Sequence, residues 1–134
     1  MQLPEGGLIE MSFKLVDWAS TPKVGNGYAA DINGKWCSFL ETKKGAYRGN
    51  HIHPYDQYTV LLGGSAMVVK EIDGKIIEYP LTENEVHLTP QGLAHILVPL
   101  EDAILYEWWQ GPFESEACPG VFDEYTKNRY GPSD

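Results

Sequence analysis

Turn residues cut this chain into short β-forming runs, and that punctuation limits its possible folds more than any other feature. Asp73-Gly74 separates residues 65–72 from 75–79, and Asn33-Gly34 separates 28–32 from 35–41. Both dipeptides suit the two-residue hairpin turn, whose central positions need positive φ. Gly63-Gly64 closes a Tyr-, Thr- and Val-rich run at 57–62. Further runs occupy 8–18, 46–53, 86–89, 93–98 and 103–109. No segment carries a long helical period, and strands do not alternate with helices, so a parallel sheet is disfavoured. The pattern predicts an all-β sandwich or barrel. At 134 residues it reads as one domain, with residues 1–7 a mobile arm and residues 111–134 an acidic tail rich in Pro and Gly.

Charge narrows the partners. The net charge of −9 comes without a basic run, which argues against a nucleic-acid or anionic membrane surface, since both need clustered Lys and Arg. No apolar stretch approaches a membrane span. Residues 1–7 lack the positive charge and apolar core of a secretion signal. Cys37 and Cys118 lie far apart, so they are expected as reduced thiols of a cytoplasmic protein, Cys37 within the core.

The chemistry concentrates in His51-Ile52-His53-Pro54-Tyr55-Asp56-Gln57 and His95. On a strand, His51 and His53 point to one side, about 7 Å apart along the chain. Pro54-Tyr55-Asp56 is a turn that returns Gln57 on the next strand, and His95 follows a second turn at Pro90-Gln91-Gly92. Three imidazoles and one amide oxygen, His51, His53, His95 and Gln57, make a ligand set for one divalent cation, with Zn, Mn, Fe, Ni and Cu all open. Alternatively, Gln57 only hydrogen-bonds and the metal has three ligands.

These residues resemble the cupins. Gly45, His51-Ile52-His53, Gln57 and Gly64 fit the frame of that family's first motif, and Pro90-Gln91-Gly92-Leu93-Ala94-His95 fits the second. The resemblance implies a double-stranded β-helix, or jelly-roll barrel, that binds one metal and commonly forms a homodimer. Gln57 departs from it, standing where Glu is usual. Asn84-Glu85 and Pro99 depart at turn positions. A neutral amide leaves a divalent site at net +2 rather than +1, which favours an anionic substrate or an enolate-like intermediate.

Candidate proton shuttles follow. Alternation puts Tyr47 on the face of His51 and His53, and turns Arg48 outward, toward the surface or a dimer contact. Glu107 is a candidate acid–base group if it faces the cavity, a matter that one bulge would reverse. His87 is expected to support the site or face solvent. The resulting expectation is a metal-dependent enzyme for a small carbonyl or hydroxy compound. Residues 47–51, 102–108 and 122–125 resemble segments of small cupins of sugar-nucleotide and capsule pathways, which implies isomerising or epimerising a keto sugar. A dioxygenase using Fe or Cu, a C–C lyase resembling the cupin hydroxynitrile lyases, and a non-catalytic binding module are the alternatives. The run at 8–18 is expected to pair with a neighbouring subunit's sheet edge.

Overall fold

The computed structural model describes residues 13–132. Two antiparallel sheets face each other. The larger contains β1 (Phe13–Asp17), β2 (Gly27–Ile32), β3 (Lys35–Thr42), β5 (Gln57–Gly63), β8 (Val86–Thr89) and β10 (Ala103–Trp109), in the spatial order β1-β2-β3-β10-β5-β8. The smaller contains β4 (Arg48–Ile52), β6 (Ala66–Ile72), β7 (Lys75–Pro80), β9 (His95–Pro99) and β11 (Glu116–Ala117), in the order β11-β4-β9-β6-β7. This is an all-β barrel, as the turn pattern leads one to expect, in the jelly-roll form that the cupin resemblance implies.

Local chemistry explains the strand boundaries. Asn33-Gly34 and Asp73-Gly74 both sit at positive φ, the geometry of a two-residue hairpin. They set the β2–β3 register, Ile32 opposite Lys35, and the β6–β7 register, Ile72 opposite Lys75. Alternation then fixes what is buried. On β3, Trp36, Ser38, Leu40 and Thr42 point inward while Lys35, Phe39 and Glu41 are exposed. Between the sheets, Leu40, Leu61, Val68, Leu97 and Leu105 form the apolar floor.

The described residues begin within the first expected strand and take in most of the C-terminal segment. Residues 1–7 and the start of the 8–18 run lie outside the described residues. β1 pairs with β2 of its own chain. The C-terminal segment does not hang free through residue 132. β11 adds to β4, a short helix α1 spans Asp123–Thr126, and Cys118 and Phe122 are buried against Val69, Ile96 and Val98 on the outer face of the smaller sheet. Val69, Ile96 and Val98 are uncovered apolar residues of a two-faced sheet, which is why the tail packs there. Cys37 also differs: it is half-buried on the outer face of β3, opposite Trp108, and not in the core.

Candidate metal centre

β4 carries an irregularity that shapes the site. Arg48 pairs with Leu97, Gly49 with Ile96, and His51 with His95, leaving Asn50 as an extra residue. Gly49 and Asn50 both have positive φ. Such a bulge inverts the alternation after it. Arg48 and His51 therefore face the same interior. Contrary to the outward placement expected, Arg48 is 4% exposed. Its Nε donates to Thr42 Oγ1 at 2.9 Å, and its Nη atoms to the carbonyls of Ala19, Gly25 and Glu41 at 3.1, 3.2 and 2.7 Å. Tyr47 lies on the other side of this inversion. Its ring packs with the outer cluster of Val69, Ile96 and Phe122 and also lines the cavity.

The three motif histidines meet. Their ring centroids are 4.2 Å (His51–His53), 5.0 Å (His51–His95) and 5.1 Å (His53–His95) apart, with one ligand atom of each within 4.8 Å of the others. His53 Nδ1 donates to the Glu114 carbonyl at 2.6 Å, and His95 Nδ1 to the Leu93 carbonyl at 3.0 Å. Both Nε2 atoms are then unprotonated acceptors, buried without a partner. Orphaned acceptors cost free energy unless something binds them, and a metal cation is what this arrangement fits. Burial holds all three rings neutral. His51 falls to about 2, also through nearby His95 and His53, and His95 to about 4 against the pull of the Leu93 carbonyl. His53 is lowered too, opposed by the Glu114 carbonyl and the Gln57 amide. Neutral imidazoles are the form a metal requires.

Turn chemistry joins the two motifs. Asp56 Oδ1 accepts from the Gln91 backbone N–H at 2.9 Å, and the Gly92 N–H donates to the His53 carbonyl at 2.9 Å. The first turn is thereby clamped to the second, bringing His53 and Gln57 beside His95.

Gln57 begins β5 and is 3% exposed. Its amide nitrogen donates to Thr59 Oγ1 at 3.1 Å and Glu107 Oε2 at 2.8 Å. Those two acceptors hold the amide nitrogen, and the oxygen is left toward His53, whose protonated form it favours. Glu107 faces inward with Trp109, while Tyr106 and Trp108 face out. Its Oε2 also accepts from Thr59 Oγ1 at 2.9 Å. Burial pushes its carboxyl up to about 7, against the Thr59 hydrogen bond and the Arg48 charge. Histidines, Gln57, Arg48 and Glu107 all line one cavity of about 340 Å³, walled by Trp18, Trp36 and Phe113. That volume suits a small molecule.

Sequence reasoning missed Thr59, Arg48 and the Glu114 carbonyl. Thr59 is legible afterwards as sharing Gln57's parity on β5. His87 points inward on β8, its ring 5.5 Å from Tyr79, with burial and nearby Lys70 lowering it to about 4.

The fold is that of the cupins. No family model matches the sequence, and no curated protein matches it. Solved structures do. One is an oxalate decarboxylase, with a TM-score of 0.67 and 19% identity over 86% of this chain and 35% of that one. Another, of the Mn(II) centres of Bacillus subtilis oxalate decarboxylase, has a TM-score of 0.64 and 21% identity over 83% and 33%. CapF with the inhibitor 3-isopropenyl-tropolone has a TM-score of 0.65 and 21% identity over 79% and 34%. The chain thus spans about a third of each of these structures.

Proposed function

We propose that this chain is a metal-dependent enzyme that isomerises or epimerises a keto sugar or a related carbonyl compound. The observation that carries the reading is Glu107, an inward carboxyl raised to about 7 in the same cavity as three convergent neutral histidines. His51, His53, His95 and the Gln57 oxygen would hold the metal. When bound, a divalent metal supplies Lewis acidity toward a substrate carbonyl or hydroxyl oxygen.

The remaining work falls to side chains. Near neutral pH, Glu107 populates both protonation states, as a group that removes and then returns a proton needs to. It takes the proton from the hydroxyl-bearing carbon beside the carbonyl and delivers it to the carbonyl carbon, while the hydroxyl proton passes to the former carbonyl oxygen, or it returns the proton to the same carbon on the opposite face for epimerisation. Thr59 and Gln57 both hold Oε2, which orients the carboxyl for that transfer. Four neutral ligands would leave a bound divalent metal its full charge, and with the Arg48 charge this would make the cavity electropositive, which favours an anionic substrate. Trp18, Trp36 and Phe113 exclude water. Tyr47 is assigned no proton step.

Oxalate and tropolone both carry oxygens on adjacent carbons, as do keto sugars, and Mn is the first metal to load because one of the similar proteins has Mn(II) centres. In this reading the chain acts as a homodimer on a small molecule in the cytoplasm. Among the described residues, no helix is long and apolar enough to cross a membrane.

Deuterium exchange from D2O into a panel of keto sugars tests the reading. Metal-loaded protein should catalyse it, and Glu107→Gln should slow it by about 10²–10⁴-fold while retaining metal by elemental analysis. Absence of exchange with protein loaded in turn with Mn, Zn, Fe, Ni and Cu would sink the proposal. A second reading, C–C bond cleavage, draws on the oxalate decarboxylases of the same fold. Release of CO2 from oxalate would favour it.

A further inference from the structure

Residues 111–118 run beside the ligand stretch 50–55 in the opposite direction, and the two are joined at successive positions. Cys118 meets Asn50, its N–H donating to the Asn50 carbonyl at 3.4 Å and its Sγ to Asn50 Oδ1 at 3.6 Å. Ala117 pairs with His51 and Glu116 with Ile52. The Glu114 carbonyl accepts from His53 Nδ1 at 2.6 Å, and the Phe113 ring lies 6.1 Å from the His53 ring. Glu114 Oε2 accepts from the Tyr55 hydroxyl at 2.9 Å. The Tyr55 ring lies on Gly111, where an added Cβ would run into it. From the cavity wall, the Trp36 N–H donates to the Gly111 carbonyl and Trp109 Nε1 to the Pro112 carbonyl, both at 2.9 Å.

Covering a strand edge does not require all of this. Without β11, β4 would be an edge strand, and pairing at Ala117 and Glu116 is enough to cover it. The contact continues past the end of β4, through His53 to Tyr55 in the turn, and there it holds a ligand ring. Glu114 lies outside β11, in irregular backbone, so no ladder or helix sets the direction of its carbonyl. The bond from Tyr55 to its carboxylate does that instead.

We infer that Glu114 and Tyr55 are positioning residues of the metal centre, and that docking of residues 111–118 and binding of the metal favour each other. His53 serves the two events with its two nitrogens. Nδ1 holds Glu114, and Nε2 is the buried acceptor left for the metal. With the proton fixed on Nδ1, the lone pair stays on Nε2 and the ring stays turned toward His51 and His95. The carbonyl also raises the basicity of Nε2. In return, a cation on Nε2 polarises the Nδ1–H and strengthens its bond to Glu114. Whatever docking adds to metal affinity, the metal therefore adds to docking. The coupling rests on the metal centre of the proposed function and not on proton transfer at Glu107.

Equilibrium dialysis of Mn2+ with the full chain tests one direction. Tyr55→Phe keeps the ring and removes the bond to Glu114, while Gly111→Ala displaces the ring. Each should weaken Mn2+ binding by about 3–10-fold, short of the ~10–100-fold that follows loss of a ring partner itself. Tyr125→Phe removes a bond of the same kind, from α1 to Glu78 Oε2 at 2.8 Å, away from the ligands. It should bind Mn2+ as the wild type does. Ring 15N shifts of the metal-free protein read the His53 tautomer, which a merely structural role would not move. It should be Nδ1–H in the wild type and in Tyr125→Phe, and partly Nε2–H in Tyr55→Phe.

Hydrogen exchange read by mass spectrometry tests the other direction. Saturating Mn2+ should slow exchange across residues 111–118 more strongly than across β7. Should the variants not fold, as circular dichroism would show, this measurement on the wild type decides. Equal Mn2+ affinities for Tyr55→Phe and the wild type overturn the inference, and so does exchange across residues 111–118 that is indifferent to metal. A wild type that binds none of Mn, Zn, Fe, Ni and Cu overturns it together with the metal centre. Weakened variants beside a metal-binding wild type that exchanges no keto-sugar proton would support the coupling and sink only the isomerase chemistry.

Discussion

Arg48 shows how one residue's surroundings set its role. Four acceptors converge on its guanidinium, three of them backbone carbonyls from the 19–25 segment and β3. Replacing it with Met would take this donor from Thr42 Oγ1 and from the Ala19 and Glu41 carbonyls, and would leave the Gly25 carbonyl only the Thr21 N–H, a loss on the order of 3 kcal/mol. Thermal denaturation should show a midpoint lowered by about 10 °C. Tyr47→Phe, by contrast, should leave activity and metal content unchanged, since Tyr47 packs mainly with the outer cluster. Equal midpoints for Arg48→Met and the wild type would refute the strap role. Simple alternation turned Arg48 outward, and the structure buries it. The residue types gave no sign of the error, because it came from the backbone at Gly49 and Asn50.

At the scale of elements, the hairpins and the bulge separate what was legible from what was not. Asp73-Gly74 and Asn33-Gly34 declare positive φ in their own chemistry, so the β2–β3 and β6–β7 hairpins follow from local sequence alone. The histidine motif and Pro90-Gln91-Gly92 likewise marked where the ligands turn toward one another. A bulge depends on the partner strand: Asn50 is extra only relative to Ile96 and His95. The inward direction of Glu107 and the docking of residues 111–132 needed tertiary partners too. Gly74 and Gly49 make a matched test, with φ of 77° and 86°. An added Cβ would meet nothing within 4 Å at Gly74, and ordinary contacts from 3.5 Å at Gly49. Alanine at either position should cost about 1–2 kcal/mol through left-handed strain. Only Gly49→Ala should weaken Mn2+ binding in equilibrium dialysis, because only there does relaxation move His51. Equal affinities for the two variants would mean that the bulge does not position the site.

For the whole molecule, burial of neutral histidines makes acid the weak direction. His51 (about 2), His95 and His87 (both about 4) sit well below the usual 6.5. As pH falls below 6.5, the unfolded chain takes up protons that the folded chain refuses, so stability drops until each folded value is reached. Glu107 runs oppositely. Its carboxyl is raised from 4.5 to about 7, so stability is lost as pH rises through that window and recovered on acidification. Each group contributes about 1.4 kcal/mol per pH unit within its window. Between pH 6.5 and 4.5 three histidines oppose one carboxyl, and the net effect is destabilisation by acid. Metal adds to this, because it binds neutral imidazoles of the folded chain and must be displaced before they protonate. Trp18, Trp36 and Trp109 cluster beside the site, so their fluorescence reports the transition. Acid titration should show unfolding beginning below pH 6.5, with Mn2+ moving the midpoint to lower pH. His95→Ala should abolish the metal-dependent part, while His87→Phe should shift the metal-free midpoint to lower pH and keep the metal-dependent part, since His87 is not a ligand. A wild-type midpoint indifferent to every divalent metal tried would remove the metal centre from this account, and with it the reason for keeping three imidazoles neutral and buried together.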